Sequence, residues 1–532
     1  MVCALLRSCD RNLTGLAIVN TILTRIYGKE QLGSHNYSTT ISSLGFAGTV
    51  VGMLIFGYLS DKIGRKFGMV RMTESRSVHK LIRRQMSATA IVAFFSLLSA
   101  ASSGAQGSFG GMLAMLGACR ASTHFIHPSF LLGIGVGAEY PCGSVSASEQ
   151  SEQEGISRNA QHRWFTLATS AYLPPFSRAS YSELGYHVDS MIDFGFVVSA
   201  FVPLVLFWIF GDNHLRAVWR ISLGLGVVPA MAVFIWRLSM EEPDRYKKDS
   251  MKHAKVPYML ILRRYGVSLA AVSFTWFLYD FIVYPYVPPL PSSLRSLHYR
   301  WKRLYGCCVG LGCCHQVVLS PAKYGPLSDP SSLFYMPGTL GGAFIVDYLG
   351  PKYTMITGLL AQAVIGFIMS GAYERLTNNV AAFAVVYGIF LSFGELGPGN
   401  CLGLLASKTS PTAVRGQFYG IAAAVGKVGA FVGTWAFGGS DSVRGNTGPF
   451  WIGSGLAILS AIITFVFIKP LSHDGMEEED RLFREYLEAN GYDTSQMGLH
   501  STANSDTASI EKEKISEEKL PRVLLMLSDP FL

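Results

Sequence analysis

The stretch Gly57-Tyr58-Leu59-Ser60-Asp61-Lys62-Ile63-Gly64-Arg65-Lys66 decides the fold of this 532-residue chain. It follows an apolar run from Ser43 to Phe56 that is long enough to be the end of a membrane helix. The glycines permit a tight turn, and the acidic and basic residues stand where the chain returns to water. We interpret the stretch as a structured loop between two membrane helices. The alternative is a plain stop signal, in which the basic residues only keep this end of the helix on the cytoplasmic side.

A weaker copy of this stretch occurs at 342–352, where Asp347, Gly350 and Lys352 follow another apolar run. A pattern present twice in one chain is typical of membrane proteins built from two parallel repeats. We therefore expect two related halves.

The composition is that of a membrane protein. Hydrophobic residues make up 49% of the chain and charged residues only 15%, whereas soluble proteins carry about 25% charged residues. The net charge of +8 does not indicate nucleic-acid binding, because Lys and Arg cluster beside apolar runs, where they set membrane topology. The cluster from Cys307 to His315 lacks a second ligand group at zinc spacing. We predict no metal, no cofactor and no nucleic-acid partner, but contact with the lipid bilayer.

Apolar runs of about 20 residues, the length that crosses a bilayer, recur along the chain. They span 40–59, 86–106, 191–211, 216–238, 265–285, 332–349, 354–373, 379–402, 416–437 and 449–468. A weaker first run covers 13–27, and a fourth helix is predicted in two pieces, at 111–120 and 130–140. The sequence therefore predicts an all-α membrane protein of about twelve transmembrane helices.

These helices fall into two groups separated by a hydrophilic stretch. We predict an N-terminal helical bundle at 1–240, a central cytoplasmic loop at 241–260, a C-terminal bundle at 261–470 and a cytoplasmic polar tail at 471–532. Within the tail, 476–488 has the pattern of a short amphipathic helix.

Four segments interrupt otherwise good helices: 70–85, 121–129, 172–190 and 286–332. We interpret them as translated introns or frame slips, a hypothesis that transcript sequencing tests. A polar insert within a spanning helix would leave backbone groups unsatisfied in lipid. One alternative to a working membrane protein is therefore a non-functional product that does not fold.

Several blocks resemble the phosphate:proton symporter branch of the major facilitator superfamily, most of all the fungal glycerophosphoinositol (glycerophosphodiester) permeases. They are VNTILTRIYG at 19–28, FLLGIGVGAEYPCGSVSASE at 130–149, RNAQHRWFTLAT at 158–169, TWFLYDFIVY at 275–284, FYMPGTLGGAFIVDYLGPK at 334–352 and SFGELGPGNCLGLLASKTSPTAVRGQFYGIAAAVGKVGAF at 392–431. The resemblance implies the major facilitator fold, with about twelve helices in two six-helix bundles. It also implies a latch that ties helix ends together in one state of a transport cycle, formed by Gly57, Asp61, Gly64, Arg65 and Lys66.

Asp280 lies inside an apolar helix, where a carboxylate costs several kcal/mol unless it is paired, solvated or protonated. A carboxyl group in such a place can load and release a proton near neutral pH. Trp276 and Tyr284 stand four residues before and after it, on the same helix face. The resemblance implies that Asp280 couples protons and that the two aromatic residues donate to substrate oxygens; core packing is the alternative for both aromatic residues.

Glu139 and Tyr140 end a glycine-rich helix whose missing side chains permit close packing. By the same resemblance, Glu139 belongs to the proton path and Tyr140 contacts substrate. A carboxylate that faces water at a helix end is the alternative for Glu139. Arg120 matches a basic residue at the start of this helix in the family.

Lys427 is a lone cation in a helix of small residues, and a buried ammonium needs a counter-charge. The phosphodiester of a substrate, or Asp280 in the empty site, would supply it; a lysine that reaches the membrane surface is the alternative. Asn400 follows Gly397-Pro398-Gly399, a sequence that predicts a helix break, and is a candidate for binding substrate oxygens or for helix packing. Glu395 is a candidate for a structural or a coupling role.

The resemblance implies proton-coupled uptake of glycerophosphoinositol, related glycerophosphodiesters or phosphate across the plasma membrane by alternating access. The expected partners are a small anionic phosphodiester or phosphate and protons, and both termini are expected in the cytoplasm. Two alternatives stay open: a transporter of another organic anion or sugar on the same fold, and a nutrient sensor that binds without transporting. An enzyme is not expected, because no nucleophile–base pair or metal motif stands out.

Overall fold

The computed structural model is mostly helical in the segments it describes, and those segments contain no β-strand. It describes residues 22–23, 25–27, 37–65, 88–102, 128–152, 157–169, 192–237, 242–284, 334–378, 380–437, 447–472 and 474–498. The predicted latch residue Lys66, the predicted basic residue Arg120 and the cysteine cluster lie outside these segments. So do the four interrupting segments, except that 121–129 overlaps the described residues at its last two positions.

Helices occupy the predicted apolar runs wherever these runs are described. They are α1 (Tyr37–Lys62), α2 (Ala88–Ala100), α3 (Pro128–Glu139), α4 (Val145–Ser151), α5 (Gln161–Thr169), α6 (Ile192–Phe210), α7 (Leu215–Gly224), α8 (Val227–Arg237), α9 (Asp244–Asp249), α10 (Tyr258–Val283), α11 (Tyr335–Gly371), α12 (Tyr373–Asn378), α13 (Val380–Gly394), α14 (Asn400–Lys408), α15 (Arg415–Phe437), α16 (Gly448–Phe467) and α17 (Gly475–Ala489). The single helix predicted at 216–238 is divided into α7 and α8 by a turn at Leu225 and Gly226.

Within the described segments, five helices are long and apolar enough to cross a membrane. They cover Leu44–Lys62, Tyr258–Val283, Tyr335–Gly371, Ala382–Lys408 and Gly448–Phe467. Their outer faces and those of neighbouring helices expose large apolar side chains, among them Phe94 at 61%, Trp208 at 68% and Phe465 at 61%. A soluble protein rarely exposes apolar patches on this scale, so these faces are suited to lipid.

Glycines let α1 approach two other helices closely. A Cβ added at Gly133 or Gly137 would collide with the backbone of α1, and one added at Gly420 of α15 would collide with the Met53 carbonyl oxygen. Small residues at helix contacts permit this approach in membranes, where packing replaces the hydrophobic effect as the force between helices. Helix α1 therefore joins α3, its neighbour in the first half of the chain, to α15 in the second half.

Helix α11 contains two of the predicted helices, 332–349 and 354–373, as two arms. The arms meet at Gly350, whose backbone has φ 75° and ψ 160°, and Pro351 follows it. Glycine adopts this positive φ without steric cost, and the chain can therefore turn sharply between the arms.

Two helices are interrupted by a π-helical turn. Residues Tyr140–Ser144 form one turn between α3 and α4, and Glu395–Gly399 form the other between α13 and α14. Each turn contains a proline, Pro141 or Pro398, which has no N–H to donate. Such turns often mark functional sites, and these two place Tyr140 and Glu395 at breaks in otherwise regular helices.

The predicted amphipathic helix in the tail is present as α17. Its apolar face buries Phe483 and Leu487 in a cluster with Met251, Ile261 and Phe418. The tail helix therefore packs against the stretch before α10 and the start of α15.

Candidate functional site

A buried ion pair between Asp280 and Lys427 lies where α10 packs against α15. The Lys427 Nζ is 3.3 Å from the Asp280 Oδ2, and it donates a hydrogen bond of 2.6 Å to the Tyr284 hydroxyl oxygen. The two charged residues are only 2% and 3% exposed. A charge in this position is costly without its partner, so each residue is held in place by the other.

Aromatic rings surround the ammonium group. The Lys427 Nζ lies 4.2 Å from the centroid of the Tyr284 ring and 5.5 Å from that of Tyr140. Phe46 of α1 meets Tyr284 edge to face, with 5.4 Å between the ring centroids. Because Tyr140 and Phe46 come from the first half of the chain and Tyr284 and Lys427 from the second, the ammonium lies where the two groups of helices meet.

Trp276 lies one helical turn before Asp280 and is buried. Its indole occupies the space above Gly426, the residue before Lys427, and its ring contacts Tyr419 edge to face at 5.6 Å between centroids. Trp276 and Tyr284 thus both face α15, as their spacing predicts. Glu139, which precedes Tyr140, is also buried, at 3% exposure.

Asn400 is placed elsewhere. Its Nδ2 donates a hydrogen bond of 3.0 Å to the Thr339 carbonyl oxygen of α11, and the side chain lies against Gly342. Among the described residues, no hydrogen bond joins Asn400 to the Asp280–Lys427 pair. This geometry favours the helix-packing interpretation for its amide nitrogen.

The predicted latch is a second, separate cluster of buried charges. The Arg65 guanidinium lies 2.5 Å from an oxygen of Asp61 and 2.9 Å from one of Glu149. Asp61 also accepts hydrogen bonds from the backbone N–H groups of Gly416 at 2.9 Å and Gln417 at 2.8 Å. Asp61 therefore caps the first turn of α15, where the helix dipole favours a negative charge.

Gly64 is required at its position in this latch. Its φ is 140°, which residues with a side chain rarely adopt, and a Cβ there would meet the Glu242 carboxylate. That carboxylate accepts a hydrogen bond of 3.0 Å from the Arg65 backbone N–H. Because Gly64 has no side chain, the Glu242 carboxylate can approach the backbone at this turn.

The latch extends through charges that the sequence analysis did not single out. Arg415 of α15 lies 3.1 Å from Glu149 and 3.5 Å from Asp480 of α17. Lys408 and Arg245 both pair with Glu152, at 2.5 and 3.0 Å. These partners are far apart in sequence and stand near helix ends. Charged residues at such positions usually set the membrane topology, so no local sequence pattern identifies them as partners.

The electrostatics of the latch follow from burial. Burial alone would lower the pKa of Arg65, but the carboxylates of Glu149 and Asp61 outweigh it and raise this pKa above its ordinary value. Burial raises the pKa of Asp480 above its ordinary value, although Arg415 opposes that shift. Arg65 is therefore a permanent cation at the centre of the cluster.

The weaker copy of the latch stretch makes a matching contact. Asp347 of α11 accepts a hydrogen bond of 3.0 Å from the Arg163 backbone N–H, at the start of α5, and its other oxygen is 3.5 Å from the Arg163 guanidinium. Asp61 in the first half thus caps a helix of the second half, and Asp347 in the second half caps a helix of the first. This reciprocity supports the expectation of two related halves.

Breaking the latch should destabilise the protein through the charges left behind. We expect Arg65→Gln to lower the free energy of unfolding by about 3–5 kcal/mol, because Asp61 and Glu149 lose a buried partner. The exposed Arg481, which pairs with Glu485 within α17, is the matched control, and Arg481→Gln should cost less than about 1 kcal/mol. The measurement is unfolding of the purified protein in detergent, in a double-mutant cycle with Glu149→Gln. Strictly additive losses at Arg65 and Glu149 would show that the two side chains do not interact.

Comparisons with known proteins agree with this architecture. The family described as "Sugar (and other) transporter" matches residues 331–483. The chain is 40% identical over 524 residues to a glycerophosphocholine permease of Candida albicans, covering 95% of this chain and 84% of the relative. It is 37% identical over 516 residues to the major glycerophosphoinositol permease of the same organism, covering 93% and 82%.

Among solved structures, the proton:xylose symporter XylE superimposes with a TM-score of 0.61 at 15% sequence identity, covering 90% of this chain and 97% of XylE. At that identity the likeness shows the fold alone, and it is the twelve-helix fold that the sequence predicted. Helices suited to lipid define a multi-pass membrane protein, and the permeases to which the chain is similar place it among the membrane transporters. The chain belongs to the major facilitator superfamily and, within it, to the glycerophosphodiester permeases of fungi.

Proposed function

We propose that this protein takes up glycerophosphodiesters, among them glycerophosphoinositol, across the plasma membrane in symport with protons. The observation that carries the proposal is the buried Lys427 ammonium, which pairs with Asp280 and lies among tyrosine rings at the junction of the helix groups. A small substrate anion can take the place of Asp280 as the counter-charge of this buried cation. The similar permeases named above, and an inorganic phosphate transporter of Toxoplasma gondii at 27% identity over 446 residues, handle such anions.

Charge balance suggests how a proton and the anion are coupled. In the empty site, the negative charge of Asp280 offsets the positive charge of Lys427. When Asp280 takes a proton, the ammonium is left to bind a phosphodiester anion, and the site is again neutral. A proton and a singly charged anion then cross together without net charge. Protonation of Glu139 as well would add one positive charge, worth about 2.3 kcal/mol per 100 mV of membrane potential.

The aromatic residues supply hydrogen-bond donors. Tyr140 and Tyr284 lie over the ammonium, so in our proposal their hydroxyl groups turn to phosphodiester oxygens when substrate enters. The Trp276 N–H lies beside Gly426, one residue from Lys427, and takes the same role. Asn400 stays a prediction as a ligand of substrate oxygens: its Oδ1 has no hydrogen-bond partner among the described residues, and as an acceptor it suits a substrate hydroxyl group.

We infer that the latch closes one end of the transport path. Its members join α1, α4, α14, α15 and α17, so they must part when the bundles at 1–240 and 261–470 rock to open that end. Lys247, Lys248 and Lys252 of the 241–260 loop lie in the chain next to latch residue Arg245. A basic flank of this kind favours the cytoplasm, and in our proposal the latch, the tail at 471–532 and both termini lie on that side.

A competition experiment tests the substrate. Cells that lack their own permease and express this chain should accumulate radiolabelled glycerophosphoinositol. Unlabelled glycerophosphocholine should compete strongly, phosphate more weakly, and inositol and carboxylates not at all. Stronger competition by a carboxylate or a sugar would indicate that the protein has the same fold but transports that compound instead of a glycerophosphodiester. A cellular response to glycerophosphoinositol without accumulation would instead indicate a sensor.

A further inference from the structure

A second polar cluster lies beside the ion pair, on another face of α10. Tyr279 directly precedes Asp280, and successive side chains on an α-helix point about 100° apart. The Tyr279 hydroxyl donates a hydrogen bond of 2.8 Å to the Glu395 Oε1, across the contact between α10 and the end of α13. One turn of α10 therefore serves two clusters, with Asp280 facing Lys427 and Tyr279 facing Glu395.

Gln362 of α11 adds a buried amide to this cluster. Its side chain is 0% exposed, and neither its Nε2 nor its Oε1 has a hydrogen-bond partner among the described residues. A Cβ added at Gly394 would lie 2.7 Å from the Gln362 Nε2 and 3.7 Å from a ring carbon of Tyr279. The Gln362 amide and the Tyr279 ring thus meet in the space beside Gly394, which is the residue before Glu395.

A buried amide with both polar atoms unsatisfied is rare in native proteins and indicates a missing partner. Glu395 is at the start of the π-helical turn and is half-buried, and its carboxylate lies beside Gly399 as well as Tyr279. A carboxylate accepts hydrogen bonds, an amide both donates and accepts them, and a phenol oxygen accepts one while it donates another. This set matches hydroxyl groups, whereas the Glu395 carboxylate repels a phosphate anion.

We propose that Glu395, Gln362 and Tyr279 form a hydroxyl-binding subsite for the polyol part of a glycerophosphodiester. The subsite adjoins the Lys427 site through Asp280 and Tyr279, consecutive residues of α10. The inference rests on the proposed function and deepens it. A phosphodiester with a polyol arm fills both sites, while inorganic phosphate fills only the one at Lys427. Discrimination between the two substrates then depends on the subsite.

The test compares a substrate, glycerophosphoinositol, with an inhibitor, inorganic phosphate, on the full-length protein in permease-deficient cells. We expect Glu395→Gln to raise the KM for radiolabelled glycerophosphoinositol about tenfold or more, because a hydrogen bond to a charged group is lost. The concentration of inorganic phosphate that halves uptake should stay within about twofold, since phosphate does not reach the subsite. Gln362→Met, which keeps the side-chain length and removes the amide, should change selectivity in the same direction. The exposed Glu485→Gln is the control for both, and surface protein is quantified for each.

The outcomes separate the inference from the function on which it rests. Unchanged KM values in both variants, or equal losses for glycerophosphoinositol and phosphate, would overturn the subsite while leaving the transporter in place. Wild-type protein at the surface that accumulates no glycerophosphoinositol would overturn the proposed function and the subsite with it. If Glu395→Gln fails to reach the surface, Gln362→Met decides the matter alone, because an apolar side chain of the same length fills the same space.

Discussion

Asp280→Asn abolishes gradient-driven accumulation of glycerophosphoinositol in our account, although the two side chains have the same shape. The amide neither binds nor releases a proton, so the step that frees Lys427 for the anion no longer depends on the proton gradient. Lys427 also loses the counter-charge that lies 3.3 Å away in the empty site. A buried cation without its partner costs about 3–5 kcal/mol, and the substrate anion is then the group that relieves it.

The variant should therefore bind substrate and fail to release it. The measurement is the ratio of internal to external labelled substrate with and without a pH gradient, with surface protein quantified. Asp280→Glu, which keeps the carboxyl group, is the matched variant and should retain part of the coupling. Accumulation that still follows the gradient in Asp280→Asn would remove Asp280 from the proton path.

Lys427→Met should have the second largest effect, a loss of about a hundredfold or more in apparent affinity for glycerophosphoinositol. A hydrogen bond to a charged group contributes roughly 1.5–3 kcal/mol, and the anion also loses the opposite charge that Lys427 supplies in the proposed site. Methionine keeps the length and the apolar stem of the lysine, so packing beside Tyr284 and Tyr140 is largely preserved. Initial uptake rates over a wide range of substrate concentrations give the measurement.

The double variant Asp280→Asn with Lys427→Met distinguishes binding from stability. Each single change leaves one buried charge unpaired, whereas the double change leaves none. We expect the double variant to recover surface abundance and still not transport. A double variant that transports would show that the pair is structural, and a Lys427→Met protein with wild-type affinity would place the anion elsewhere.

The sequence predicted the parts of this fold that depend on local chemistry. Long apolar runs gave the helices, because a membrane requires each span to satisfy its own backbone. Asp280 and Lys427 stood out because a charge inside such a run needs a partner, and the structure pairs them. Helical spacing predicted that Trp276 and Tyr284 share one face of α10 with Asp280, and the structure turns that face toward α15.

Contacts that depend on tertiary structure were harder to predict from the sequence. The π-helical turn at 395–399 shifts the register of the residues after it, so the direction of Asn400 toward Thr339 could not be read from an ideal helix. Tyr279 was missed because a tyrosine in an apolar helix is usually part of the core, and its partner Glu395 is 116 positions away in the chain. Glu149 and Arg415 form their ion pair across 266 positions, and no local signal marks such a pair.

Proton-coupled transport of a glycerophosphodiester is the central claim, and purified protein in sealed lipid vesicles tests it most directly. The measurement is uptake of radiolabelled glycerophosphoinositol at an imposed inside-alkaline pH gradient, with internal pH recorded at the same time. The account predicts that substrate rises above its external concentration, that the interior acidifies with it, and that a protonophore abolishes both effects. Substrate that only equilibrates, at a rate and to a level that the pH gradient does not change, would contradict the account.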